Sequence, residues 1–257
     1  MNLETTPAPS PAPPPPLPNP THNSDAKMEL QPLGAPASFV VVIEALLRHP
    51  GRILHECKQR GSKVPLILLV AAVLGLAVFG ALLGTFSGGT QYWASPVKVV
   101  GGVLASLLIC LPSLYIFSAL GGIEARLPQI AGMLLSMIAL TALLLLGFAP
   151  VVWIFSQSTE SVGFMGFLVL AFWIIALLFG FRLLVSAAGT FGMTGGLYLT
   201  IWMGIFLVVT LQMSTALRPL IGTASTLLPE KKMFFLEHWI QETGGSGNTS
   251  KSEQYGR

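Results

Sequence analysis

The residue pair nearest to a catalytic motif is His55-Glu56, the opening of the H-E-x-x-H signature of zinc hydrolases. That chemistry needs two histidines on one helix face to hold the metal and a carboxylate to activate its water. No second histidine stands at the required spacing. All four histidines, His22, His49, His55 and His238, lie outside residues 64–213, so a serine nucleophile in that stretch has no imidazole base. The glycines from Gly192 to Gly196 do not fit the phosphate-cradling G-x-x-x-x-G-K loop. Cys57 stands in a polar segment and Cys110 in an apolar run. Their separation suits neither a disulfide nor a metal-ligand cluster. The expectation is a protein that is not an enzyme, with no catalytic residue, no cofactor and no metal.

The ionisable side chains form a different pattern. Between Val64 and Met213 the only Lys, Arg, Asp or Glu residues are Lys98, Glu124, Arg126, Glu160 and Arg182. Over the whole chain 10% of residues are charged and the mean hydropathy is +0.72, where soluble domains carry about 25% charged residues. Charge is missing where hydrocarbon would make it costly. Five apolar runs result, 64–86, 97–120, 128–155, 162–184 and 195–213, each near the roughly 20 residues that cross a bilayer core of about 30 Å. The sequence therefore predicts an all-α, polytopic transmembrane bundle of about five helices spanning 64–213. The span centres also lack the carboxylates, histidines and arginines that ion-coupled transport uses.

Basic residues crowd one flank. Arg48, Arg52, Lys58, Arg60 and Lys63 precede the first span, and Arg126 and Arg182 fall on the same side of an antiparallel bundle. The positive-inside rule places that side, with the N-terminus, in the cytoplasm, and an odd helix count places the C-terminus outside. The expected location is a bacterial plasma (inner) membrane. The first residues have no basic region leading into an apolar core, so the first span is expected to act as an uncleaved signal.

Residues 38–63 form an amphipathic juxtamembrane element. Phe39, Val42, Ile43, Leu46 and Leu47 keep helical spacing, Pro50 interrupts, and Ile53, Leu54 and Cys57 resume the pattern. The five basic residues named above oppose them and are candidates for lipid-headgroup contact; packing against the end of the bundle is the other reading. Ahead of this element, residues 1–37 are a Pro-rich tail that predicts an extended, disordered cytoplasmic arm. It is either a spacer or a ligand for an aromatic-lined groove on a protein partner. Residues 214–243 predict an amphipathic C-terminal segment, with Phe234, Phe235, Trp239 and Ile240 as its apolar side. Residues 244–257 read as a disordered tail.

Within the spans, Gly80 and Gly84 form a GxxxG that predicts close helix packing, internal or in a homo-oligomer. Pro112 and Pro150 each remove a helical hydrogen bond and predict kinks. Tyr92, Trp93 and Trp153 suit an aromatic belt, while Trp173 and Trp202 read as packing residues. Partners are thus the lipid bilayer, a protein met through the arm, and another copy of the chain, with no nucleic acid.

The run Glu44-Ala45-Leu46-Leu47-Arg48-His49-Pro50-Gly51-Arg52, followed by a basic linker and five apolar spans, resembles the Yip (Ypt-interacting protein) family, especially its bacterial relatives. In these a short LL-x-x-P-x-R element precedes the first span. The resemblance extends over about residues 42–213 and implies a five-helix bundle with a cytoplasmic N-terminus. Eukaryotic members act in vesicle traffic and bind prenylated small GTPases. Their acidic, Tyr-Gly-Pro-containing segment has no counterpart here, so no binding residue carries over. The expected function is a non-enzymatic membrane scaffold or interaction protein; the alternative is a transporter or channel subunit.

Overall fold

The computed structural model describes residues 32–34, 36–59, 61–87, 91–122, 126–159, 161–192 and 196–216. Nearly all of the Pro-rich arm, Arg60, and everything beyond residue 216 lie outside the described residues. So therefore do the expected arm, most of the C-terminal amphipathic segment and the final tail.

Seven helices account for the described architecture: α1 (Phe39–Arg48), α2 (Pro50–Lys58), α3 (Val64–Ser87), α4 (Gln91–Leu120), α5 (Leu127–Ser158), α6 (Val162–Thr190) and α7 (Gly196–Ala216). Five of them, α3 to α7, are long and apolar enough to cross a membrane. In hydrocarbon a helix satisfies its backbone polar groups within its own segment, which is why these Leu-, Ala- and Val-rich runs fold this way.

The exposed side chains identify the surroundings. On α3, Leu68, Ala72, Leu76, Phe79 and Leu83 are buried at helical spacing, while Leu66, Val70, Leu74 and Val78 form an exposed stripe on another face. Both stripes are apolar. A helix that is apolar all round belongs inside protein or inside lipid. The same holds on α6, with Phe167, Leu178 and Phe179 exposed, and on α7, with Leu197, Ile201 and Val208 exposed. The molecule is a multi-pass membrane protein.

In space the five long helices run α6–α5–α3–α4–α7, with α4 also reaching α5. Small residues set the approaches. A Cβ on Gly75 of α3 would lie 3.0 Å from the Ala142 carbonyl oxygen of α5, and one on Gly180 of α6 would lie 3.0 Å from the Met137 carbonyl oxygen. Phe148 stacks on Phe172 between α5 and α6, with centroids 4.6 Å apart. Helices α6 and α7 are neighbours in sequence yet touch only lightly; Phe181 of α6 lies edge-on to Phe206 of α7 at 6.1 Å, and within α7 Phe206 stacks on Trp202 at 5.3 Å.

Several helices exceed the apolar runs that announce them. Helix α4 begins at Gln91, not Val97, and carries Pro96 inside it, packed closely on Gly80 of α3. Helix α5 continues through Pro150 to Ser158. Helix α6 passes Leu184 and ends at Thr190. Arg182 is no terminator, since its long stem lets the guanidinium leave the apolar layer. The stop is Gly192, whose φ of +88° suits the left-handed turn after a helix C-cap.

Candidate functional site

The polar side chains with recognition potential gather at the N-terminal end of the bundle, around α1 and α2. Ser38 caps α1, its Oγ accepting from the Val41 N–H at 3.4 Å. The helix stops at His49, which precedes Pro50 and leaves helical geometry with φ −138° and ψ 64°. Pro50 then opens α2, where its missing N–H costs nothing.

The pair is anchored to the bundle. Val42, Leu46, Ile53 and Leu54 are fully or almost fully buried. Cys57 seats on Gly132 of α5, where a glycine Cβ would come within 2.8 Å of the cysteine Cβ. Burial pushes the Cys57 thiol up from 9.0 to about 12, partly offset by a hydrogen bond with Ser136. At neutral pH the thiol stays protonated and packs against Gly132. Gln129, in the first turn of α5, accepts from the Arg126 N–H at 2.9 Å and donates to the Lys58 carbonyl at 3.4 Å. Lys58 also places its ammonium 5.7 Å from the centroid of Phe191, just past the end of α6.

The five basic candidates thus divide. Lys58 is turned to the bundle through Phe191, and Arg48 pairs with Glu44 at 3.5 Å on the exposed side of α1. Arg52 is half-buried and Lys63 exposed, while Arg60 is outside the described residues. The apolar face expected of α1 divides as well. Val42 and Leu46 go inward with Ala45, whereas Phe39 and Leu47 stay exposed with Val40. The reason is that α1 touches the bundle along one narrow edge of its apolar surface.

His55 and Glu56 do not form a metal centre. His55 Nδ1 stands 3.9 Å from Glu56 Oε1, and that oxygen accepts from the Leu33 N–H at 3.5 Å. Among the described residues no cluster of three His, Cys, Asp or Glu side chains could hold a metal ion. The Glu56–Leu33 bond ties the root of the N-terminal arm to α2.

Gly80 packs on α4, where its added Cβ would fall 2.8 Å from Pro96 Cα, and Gly84 is buried one turn on. Pro112 and Pro150 lie inside continuous helices with their rings exposed. Trp93 and Trp153 are 82% and 51% exposed at the end of the bundle opposite α1 and α2, in keeping with an interfacial belt.

Trp202 packs as its place in the sequence suggested, but its hydrogen bonds and the juxtaposition of Ser95 and Lys98 were not anticipated. Trp202, fully buried, donates its indole N–H to the Cys110 carbonyl at 3.2 Å and to Ser113 Oγ at 3.1 Å. Ser95 and Lys98 are both buried, one turn apart on α4, a spacing that serine–lysine acyl-transfer enzymes use. Ser95 Oγ makes no hydrogen bond among the described residues. Lys98 has an interaction of its own. Both side chains are shut away from the surface in this conformation. The signal for the pair was the S-x-x-K spacing inside an apolar run. Comparison with protein-family models, with curated proteins and with solved structures finds no match to the chain.

Proposed function

We propose that the chain is a Yip-like, non-enzymatic membrane scaffold, seated by its five spans in a bacterial plasma membrane with its N-terminus in the cytoplasm. The observation that carries this reading is the division between a filled interior and a polar end. Met137, Ala139, Ala142, Leu145, Trp202 and Phe206 are all 0% exposed along the bundle's middle. Exposed charge gathers instead at the end that holds α1, α2 and the start of α5. The orientation is supported by Arg48, Arg52, Lys58, Lys63 and Arg126 on or next to that end, and by exposed Arg182, two turns inside α6 with a stem long enough to reach toward it. The Pro-rich arm leaves the same end at Leu33, from which an extended segment can reach a groove on a partner.

A transporter or channel subunit is the second reading, favoured by Pro112 and Pro150 within spans. The packing of Met137, Ala139, Ala142, Leu145, Trp202 and Phe206 with no exposure counts against it, because a permeation path needs open, polar-lined space. The test is cross-linking and affinity purification from native membranes, with the full chain and with residues 1–31 removed. The scaffold reading expects a defined partner that is lost with the arm. An unchanged partner set would reduce the arm to a spacer.

A further inference from the structure

The side chains of α1 fall into three sectors, not the two of an ordinary surface helix. At 3.6 residues per turn, Val42, Ala45 and Leu46 share one sector, and all three are buried against the bundle. Phe39, Val40, Ile43 and Leu47 share the next, in which Phe39, Val40 and Leu47 are 43%, 72% and 54% exposed. Glu44 and Arg48 occupy the third, paired with each other and largely exposed. The second sector forms a shallow apolar groove with Glu44 and Arg48 at its edge.

We propose that this second face of α1 sits in the hydrocarbon edge of the leaflet beside the start of α3, so that α1 touches protein, acyl chains and water on three sides. The occupant follows from continuity with the lipid-facing surface already described. Helix α1 packs against α3, whose exposed Leu66 and Val70 lie in its first two turns. The lipid-facing stripe of α3 thus starts at the end of that helix which α1 and α2 flank. Only the segment from Gln59 to Lys63 separates α2 from α3, which keeps the pair at the membrane surface.

Charge agrees with the placement. Glu44 is neutralised by Arg48, leaving half-buried Arg52 and exposed Lys63 as nearby cations for anionic headgroups. An interfacial helix of this kind buries its apolar face about 5–10 Å into the boundary between headgroups and chains. The inference goes beyond the scaffold role: it rests on the five spans alone and survives if the arm proves to have no partner.

The test uses the full chain in nanodiscs of phosphatidylcholine and phosphatidylglycerol, spin-labelled in turn at Val40→Cys, Leu47→Cys and Arg48→Cys. Cys57 and Cys110 are buried, and unlabelled-site background is read from the wild-type chain. Oxygen, which concentrates in hydrocarbon, and a water-soluble nickel chelate serve as collision probes. The oxygen-to-nickel ratio is expected to be several-fold higher at positions 40 and 47 than at 48, with circular dichroism and elution matching wild type. Equal ratios at all three positions would overturn the proposal. So would dipolar broadening between labels on two copies, which would make the occupant a second chain. Protection at position 40 that vanished on removing residues 1–31 would assign the groove to the arm and overturn it too.

Discussion

The Trp202 indole of α7 lies 3.2 Å from the Cys110 carbonyl oxygen of α4, two residues before Pro112. The same N–H reaches Ser113 Oγ, whose own hydroxyl donates back to the Cys110 carbonyl at 2.8 Å. One buried donor thus links the last span to the proline-bearing turn of the second. Trp202 also stacks on Phe206 within α7, and Phe206 meets Phe181 of α6 edge-on, so the same ring cluster faces both neighbouring spans.

Replacing Trp202 separates the two contributions. Trp202→Phe keeps a ring beside Phe206 and removes the donor, and is expected to cost about 0.6–1.5 kcal/mol, the range of hydrogen bonds between membrane helices. Trp202→Ala also opens a cavity and is expected to cost about 3–5 kcal/mol. Reversible unfolding in bicelles gives both values. Equal losses for the two variants would mean that the hydrogen bond, not the ring, fastens α7.

Glycine substitutions distinguish close packing from chance. At Gly80 a new Cβ meets Pro96 backbone at 2.8 Å, whereas at Gly101 nothing lies within 4 Å. Gly80→Ala is expected to destabilise by about 1–3 kcal/mol through overpacking. Gly101→Ala is expected to be neutral or to stabilise by up to about 1 kcal/mol through helix propensity. The same unfolding assay checks the pair, and matching effects would remove the α3–α4 contact from the account.

Most of the membrane domain was legible in the sequence, because burial in lipid writes itself as apolar length. The run from Val64 needs no tertiary information to read as a span. The ends of α4 and α6 were not legible, since Pro96 and Arg182 look like boundaries until a helix can tuck one against Gly80 and let the other reach outward. The anchoring of α2 was hidden for another reason. Cys57 and Gly132 are 75 positions apart, and nothing local in P-G-R-I-L-H-E-C-K says which small residue will receive the thiol. At the candidate site, the basic residues could be named but not divided, because their roles depend on Phe191 and Glu44 as neighbours.

Cys57 gives a pH dependence of definite sign. Its thiol ionises near 9.0 when free and is raised to about 12 in the folded protein. The folded state therefore holds the proton more tightly, and the resulting stability is fully present below pH 9.0 and lost as pH rises toward about 12. Unfolding measured across that window should show a decline that Cys57→Ala lacks. At neutral pH the wild-type thiol should resist maleimide until α2 undocks. Rapid labelling of the folded chain at pH 7 would contradict the burial.

The Lys58–Phe191 contact holds α2 to the end of α6. Lys58→Met keeps the aliphatic stem and removes the cation, with an expected loss of about 0.5–1 kcal/mol. Hydrogen exchange should quicken across residues 50–58 while α3 and α5 keep their protection. Unchanged exchange in α2 would show that Cys57 and Gln129 suffice to hold it.

We predict an odd number of crossings that begins on the cytoplasmic side, and paired reporters at the two termini decide it. A reporter active only in the cytoplasm and one active only outside are each fused ahead of Met1 and after Arg257 in separate full-length chains. The account predicts cytoplasmic activity at the first position and external activity at the second. Cytoplasmic activity at both ends would mean an even number of crossings and would contradict it.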